Sequence, residues 1–327
     1  MKAIYVISIV ALALTGCTTT PSTQIQAFGD STKAITDKVD AVIGEYNQSA
    51  LTGRFTNFAA TYTGAHANEL TIDLLGGIQQ PIDEKSKKGL AIYKANRAIG
   101  AYAKSLSALS VAGSRADIDL ASAKLYGAMT GINTQYRVMN ENGGDLFKSE
   151  DFATTTKVIA AIGSLIVEEL RNNAIKDIVV SADAKIAILC NVIDKQLDES
   201  GIHDGIYTSR QYVLTEELKS YKAQVRKDMT LDWRRSEIKR LYELKQGVTN
   251  STLLIQNAQK AIREVKTSHA TLASELKSNK FSSEAIALAI GRLRDIENHY
   301  DSYETLLLEC KKIEKNDKGV LSCADEK

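Results

Sequence analysis

Residues 241–276 read LYELKQGVTNSTLLIQNAQKAIREVKTSHATLASEL, and they carry the clearest structural signal in the chain. Apolar or small side chains recur in steps of three and four residues, which is the spacing of a heptad seam along one helix face. Eleven positions follow this rule: Leu241, Leu244, Val248, Ser251, Ile255, Ala258, Ile262, Val265, His269, Leu272 and Leu276. The segment therefore predicts one helix about 52 Å long, since each residue of an α-helix rises about 1.5 Å.

The segment that follows repeats the pattern. Ser282 or Ser283 is placed to cap a second helix. The seam of this helix would run through Ala289, Leu293, Ile296, Tyr300, Tyr303, Leu307 and Cys310. Two long helices joined by a short polar turn are expected to pack antiparallel at a shallow angle, so the pattern predicts a C-terminal coiled-coil hairpin.

The rest of the chain also favours helices. Only Pro21 and Pro81 occur in 327 residues, and the last 246 residues contain no proline, which would break helices or mark strand edges. Spacing by three and four predicts helices near residues 31–46, 85–111, 115–139 and 151–197, then a turn at 201–205 and another helical stretch. No segment shows sustained alternation of polar and apolar residues, so no sheet is predicted. The predicted fold class is all-α: an elongated antiparallel helical bundle over residues 31–315, with a tail at 316–327.

Two segments leave alternatives open. Residues 140–149 contain Gly143-Gly144 and are either a domain boundary or a loop, and we favour a loop within one bundle. Residues 158–167 are apolar almost all round, which is typical of the most buried helix of a bundle. The alternative for them is a membrane-inserting segment, although ten residues are too few to span a bilayer unaided.

The first 16 residues have the organisation of an export signal. A charged start, Met1-Lys2, precedes a run of twelve mostly apolar residues, Ala3 to Leu14, and small residues follow it. Twelve helical residues rise about 18 Å and cannot cross a hydrocarbon core of about 30 Å. The segment is therefore predicted to be a signal peptide rather than a permanent span.

Leu14-Thr15-Gly16-Cys17 resembles the lipobox of bacterial lipoproteins: an aliphatic residue, two small residues and then cysteine. The resemblance implies cleavage before Cys17, a diacylglyceryl thioether on its sulfur, and a fatty acyl chain such as palmitate on the new N-terminus. Several acyl chains anchor a protein firmly. Thr18 stands where an aspartate would signal inner-membrane retention, so the resemblance implies an outer-membrane location, facing the periplasm. Residues 17–30 are predicted to be the lipidated cysteine and a polar tether.

Charge is balanced overall but not locally. The chain has 41 Lys and Arg against 40 Asp and Glu, which argues against nucleic acid as a partner. Residues 210–266 hold 13 basic and 7 acidic side chains, whereas residues 145–204 hold 6 basic and 11 acidic ones. The densest basic residues form a candidate anion-binding patch: Arg226, Lys227, Arg234, Arg235, Lys239 and Arg240. The alternative is that these side chains complement the acidic helices within the bundle.

No constellation in the sequence indicates catalysis. The four histidines are scattered, and no nucleotide-binding, metalloprotease or nucleophile-elbow motif occurs. His269 lies on the seam, where a polar residue usually sets helix register, and Cys190 lies among apolar residues as a small hydrophobe would. Cys310 and Cys323 are the candidate disulfide pair in an exported chain. We predict no catalytic residue, no metal site and no cofactor.

These observations predict a non-enzymatic, lipid-anchored binding or scaffold protein of the cell envelope, held at the membrane through Cys17 and recognising a protein partner that the sequence does not name. One alternative is an α-helical pore former or membrane-active effector, which would use residues 158–167 and the long hairpin. Another is an immunity or exclusion lipoprotein, which would also act by binding.

Overall fold

The computed structural model describes residues 21–327 except 77, 79–83, 141–142, 163–167, 200, 226–227, 281–282, 310–312, 316–320 and 324–327. Within the described residues the chain is helical apart from two short strands. The helices are α1 (Pro21–Thr61), α2 (Ile72–Gly76), α3 (Glu84–Val111), α4 (Arg115–Met139), α5 (Ser149–Ile162), α6 (Glu168–Glu199), α7 (Ile202–Gln224), α8 (Leu231–Lys277) and α9 (Glu284–Glu309). A 3-10 helix, Gly64–Glu69, precedes α2. The all-α prediction is confirmed.

Helix α1 is longer at both ends than the predicted 31–46. It extends to Pro21, the first residue that the structure describes. Ile25 and Phe28 are buried, since they extend the apolar face one helical turn at a time towards the N-terminus. The predicted polar tether is therefore wrong for residues 21–30, and Cys17 lies outside the described residues.

The predicted turn at 201–205 is also wrong in part, because α7 already begins at Ile202. Gly201 supplies the turn, with a φ of 152° that favours glycine. Gly205 serves close packing instead, since a Cβ at this position would lie 2.8 Å from Cδ2 of Tyr46 on α1. The predicted helix 151–197 is described as α5 and α6, and the side chains of 158–167 lie outside the described residues.

The helices are arranged around α1 and α8, which run antiparallel to each other. α3 packs antiparallel on the first half of α1, and the Lys104 Nζ to Asp30 Oδ1 distance there is 2.9 Å. α6 and then α7 run antiparallel to successive parts of α8. Contacts of Lys176 with Asn279 and of Tyr221 with Trp233 mark the two ends of this path. One hydrophobic cluster includes buried residues from α1, α3, α4, α6, α7, α8 and α9.

The predicted seam of α8 is buried over most of its length. Nine of its eleven positions, from Val248 to Leu276, are buried, and Leu241 and Leu244 are half-buried. α9 packs against the C-terminal part of α8, where the Ser268 hydroxyl donates to the Ala289 carbonyl at 3.3 Å. α8 also contacts α6, α7 and α1, so its seam faces several helices.

The strands β1 (Ile313–Lys315) and β2 (Leu321–Cys323) pair antiparallel, with Ile313 opposite Cys323. The prediction of no sheet missed them because three residues are too few to show a strand pattern. Cys310 lies outside the described residues and the side chain of Cys323 is not described, so the disulfide stays a prediction.

The loop at residues 140–149 is attached to the bundle. Phe147 is buried, and its N–H and C=O both hydrogen-bond the side-chain amide of Asn133 on α4, at 2.8 and 2.7 Å.

In the part of the chain that the structure describes, no helix is both long and apolar enough to cross a bilayer.

Candidate binding surfaces

The end of the bundle formed by the second half of α1, by α7 and by the first half of α8 has fewer neighbours than the rest. We call it the three-helix end and define it as residues 46–61, 202–224 and 231–252, together with the connection 62–76. Its tip includes the 3-10 helix and α2, in which Ile72 is 87% exposed. α7 packs only on α1, α8 and, less, α6 among the described helices.

Exposed large apolar side chains concentrate at this end. Of the sixteen that the described residues expose, ten lie there: Phe55, Leu70, Ile72, Leu74, Leu75, Tyr207, Leu218, Leu231, Ile238 and Tyr242. A single exposed leucine needs no explanation, but a concentration of such residues at one end of a protein is typical of a partner-binding surface.

Polar contacts hold the three helices together near the base of this end. Arg210 on α7 donates to Glu45 Oε1 of α1 at 2.6 Å and to the Gly247 carbonyl of α8 at 2.7 Å. A neighbouring cavity of about 340 Å³ is bordered by Val213 and Leu244 as well as by polar side chains. Because one guanidinium links all three helices, they stay aligned where the apolar core is thin.

The predicted anion-binding patch is largely paired within the protein. Arg235 lies 2.7 Å from Asp232, Lys239 lies 3.8 Å from Glu243, and Arg240 bridges Glu217 of α7 and Glu237 at 2.8 and 2.9 Å. The hydrogen bond with Glu217 raises the pKa of Arg240 above its ordinary value. Arg234 is half-buried, and Arg226 and Lys227 lie outside the described residues. Of these pairs, the one between Arg240 and Glu217 joins two helices and the other three lie within α8, so the anion-binding patch and its alternative both stay predictions.

A second concave surface runs along α3 between α1 and α4, and we call it the α3–α4 groove. It has a volume of about 640 Å³. Its floor consists of small side chains: Ala98, Ala101, Ala108, Gly127, Ala128 and Gly131. Five cationic side chains surround the floor: Lys33, Lys94, Arg97, Lys104 and Lys124. None of the described residues that line the groove is acidic.

Three of these cations have carboxylate partners on α1 that do not line the groove. Lys33 pairs with Asp37, Lys104 lies 2.9 Å from Asp30, and Arg97 lies 3.8 Å from Asp40.

Asp40 is the most perturbed of these carboxylates. Burial raises its pKa to about 6, although a hydrogen bond from Asn96 Nδ2 at 2.5 Å and the charge of Arg97 both act to lower it. Folding therefore favours the protonated form of this carboxyl group.

We expect Asp40→Asn to stabilise the protein at about pH 8 by about 1 kcal/mol, and to have little effect at about pH 4. Between pH 3.8 and about 6 the folded state keeps a proton that the unfolded state releases, so the parent loses stability as the pH rises through this range. Asparagine does not ionise, so the variant avoids this loss, and its advantage appears only at the higher pH. Urea unfolding at both pH values measures the change. Asp177→Asn, at an exposed position on α6 away from Asp40, is the control, and an equal gain at both pH values for Asp40→Asn would contradict the assignment.

A buried hydrogen-bonded chain links three helices near the middle of the bundle. Tyr102 on α3 lies 3.1 Å from His269 Nε2, and His269 Nδ1 lies 2.9 Å from Asp183 Oδ1 on α6. All three groups are satisfied when His269 carries its proton on Nδ1: the Nδ1–H then donates to the Asp183 carboxylate, and the Tyr102 hydroxyl donates to Nε2. Burial, assisted by the Asp183 charge, raises the pKa of Tyr102, so its phenol stays neutral. This arrangement suits alignment of helices, because the groups satisfy one another.

The remaining histidine and cysteine candidates lie in structural settings. His203 Nε2 lies 3.1 Å from the Thr252 hydroxyl and so connects α7 to α8. Among the described residues, no group of three or more potential ligands is arranged around a metal position. Cys190 on α6 is buried, and burial raises the pKa of its thiol to about 12.

We expect the Cys190 thiol to resist alkylation in the native protein, because a buried neutral thiol is neither accessible nor nucleophilic. Peptide mapping by mass spectrometry after iodoacetamide treatment should find the Cys190 peptide unmodified without denaturant and modified in about 6 M guanidinium. Rapid modification of Cys190 under native conditions would contradict its burial.

Comparisons with protein-family models, with curated proteins and with solved structures give no match for this chain.

Proposed function

We propose that this protein is a lipid-anchored, non-enzymatic binding protein of the cell envelope that recognises a protein partner through its three-helix end. The observation that carries the proposal is the position of the exposed apolar side chains. α1 contains 41 residues and is therefore about 60 Å long. Cys17 precedes Pro21 by four residues, so a lipid on Cys17 would sit at one end of α1, whereas the apolar surface lies at the other.

The anchor and its location rest on the signal segment. Leu14-Thr15-Gly16-Cys17 supports cleavage and acylation at Cys17, and Thr18 supports an outer-membrane destination facing the periplasm. In that setting, the bundle would hold its three-helix end tens of Å from the bilayer. A partner in the periplasm or on an opposing envelope layer would be within its reach.

We also propose that the C-terminal part of α8 and helix α9 pack as an antiparallel coiled-coil hairpin. Arg292 Nε lies 2.7 Å from Glu264 Oε1, and Ser268 donates to the carbonyl of Ala289. In these two pairs the residue number rises on α8 while it falls on α9, as antiparallel packing requires. The hairpin would stiffen the bundle and so fix the distance between its two ends.

The experiment compares two pairs of substitutions with similar exposure. Leu231 and Ile238 at the three-helix end are 62% and 55% exposed, and Leu120 and Leu288 elsewhere are 56% and 58% exposed. The double variants Leu231→Ser/Ile238→Ser and Leu120→Ser/Leu288→Ser are expressed in the native cell, cross-linked in the envelope and purified. Partners are quantified by mass spectrometry against the parent.

We expect the first double variant to lose its partner about tenfold or more, because two apolar contacts would be removed from an interface. The second should retain the partner to within about twofold. Equal recovery for both variants would contradict a docking surface at the three-helix end. Leakage of dye from liposomes caused by the purified protein would instead support the pore-forming alternative.

A further inference from the structure

We propose that the α3–α4 groove is a docking site for an acidic amphipathic helix of a partner protein. This surface is separate from the three-helix end, since it lies between the first half of α1 and α4. The inference depends neither on the lipid nor on the three-helix end, so its failure would leave the proposed function intact.

α3 already packs against one helix through small residues. Where α1 packs on it, small residues bring the two backbones close together: a Cβ on Gly29 would lie 2.8 Å from Cβ of Ser107, and one on Gly100 would lie 2.9 Å from the Lys33 side chain. α4 and α6 cover further sides of α3. The remaining side shows the same chemistry, with Ala98 and Ala101 in the floor, but no described helix covers it.

The shape of the groove also suits a helix. The groove follows α3 from Lys94 to Ala108, about 21 Å of helix, and the small residues of α4 run beside it. A groove between two helices can accept the apolar face of a third helix. An acyl chain would stay in contact with water in an open groove, which disfavours a lipid as the occupant.

Charge specifies the kind of helix. Lys94 on α3 and Lys124 on α4 both line the groove, and neither has a carboxylate partner among the described residues. The three other cations add positive charge along the rim, and their carboxylate partners are on α1 rather than in the groove. A helix with acidic residues on both sides of an apolar stripe would satisfy the free lysines, and a basic helix would be repelled.

The test uses a defined probe and the full chain. The probe is a fluorescein-labelled synthetic helical peptide of about 18 residues with glutamates on both sides of an Ala/Leu stripe, and the control peptide carries lysine at every glutamate position. Binding is measured by fluorescence anisotropy with the parent, with Lys94→Glu/Lys124→Glu, and with Ala101→Trp, which fills the groove. Lys260→Glu/Lys277→Glu is the matched control, because both lysines are exposed on α8 away from the groove.

We expect saturable binding of the acidic peptide to the parent and to the α8 control. We expect at least about a tenfold higher Kd for both groove variants, with unchanged melting temperatures, because all the altered positions are exposed. No saturable binding of the acidic peptide, equal binding of the basic peptide, or equal weakening by the α8 control would overturn the proposal. Sedimentation with phosphatidylglycerol vesicles that depends on Lys94 and Lys124, without peptide binding, would overturn it in favour of a lipid surface.

Discussion

Ile255→Asp is expected to destabilise the protein by more than about 4 kcal/mol, the largest effect on stability that we predict for a single substitution. Ile255 is 2% exposed at the centre of the α8 seam, where α8 also contacts α1 and α6. Aspartate at this position would remove a buried apolar side chain and bury an unpaired charge. Ile255→Ala removes only the packing and is expected to cost about 2–5 kcal/mol.

Chemical unfolding followed by circular dichroism at 222 nm measures both changes, since the helical signal reports the whole bundle (about 222 nm is the usual helical band). Gln256→Asp is the control, because Gln256 is the next residue on the same helix and is exposed, so that its replacement should cost less than about 0.5 kcal/mol. If Ile255→Asp and Gln256→Asp unfold at the same denaturant concentration, the seam is not a core and the account of α8 is wrong.

Cys17→Ala is expected to abolish lipidation and to release the protein from the membrane, or to leave an uncut precursor. The reason is chemical, since the thioether needs the cysteine sulfur and alanine offers no nucleophile. Fractionation of cells followed by mass spectrometry of the N-terminal peptide measures the change. Cys190→Ala provides a comparison, because it removes a thiol within the bundle, and it should leave the lipid and the location unchanged. A Cys17→Ala protein that is still processed, acylated and membrane-bound would refute the anchor.

The parts of the fold that the sequence predicts well are those in which one helix face meets a core. The seam from Val248 to Leu276 follows directly from the spacing of its apolar residues. α4 begins and ends at the predicted residues, and the Ser114 side chain caps its first turn. His269 was expected to set register, and it lies in a buried chain with Tyr102 and Asp183 that links three helices.

The departures arise where tertiary contacts overrule local pattern. α1 starts early because Ile25 and Phe28 find a core that a polar, threonine-rich flank does not suggest. Gly205 belongs to a helix rather than a turn, and glycine is required there because the ring of Tyr46 leaves no room for a side chain. In both cases the deciding neighbour is on another helix, at a distance in the chain that periodicity does not report.

Binding surfaces were less predictable than the core. In the basic run around Trp233, pairs such as Arg235 with Asp232 follow from local spacing along one helix. The pair of Arg240 with Glu217 on a neighbouring helix could not be read from residues 226–240 alone. The α3–α4 groove has a sequence signal only in the small residues and lysines of two separate helices. It becomes a surface because α3 and α4 lie side by side and no described helix covers them.

The central claim is that the protein is anchored at one end and docks its partner at the other. Its most direct test places a photo-reactive amino acid at Ile238, at the three-helix end, or at Leu288, an equally exposed position outside it, in the lipidated protein in living cells. The account predicts that irradiation links a discrete partner to the Ile238 variant and not to the Leu288 variant. Cross-linking of the same partner from Leu288 but not from Ile238 would contradict it.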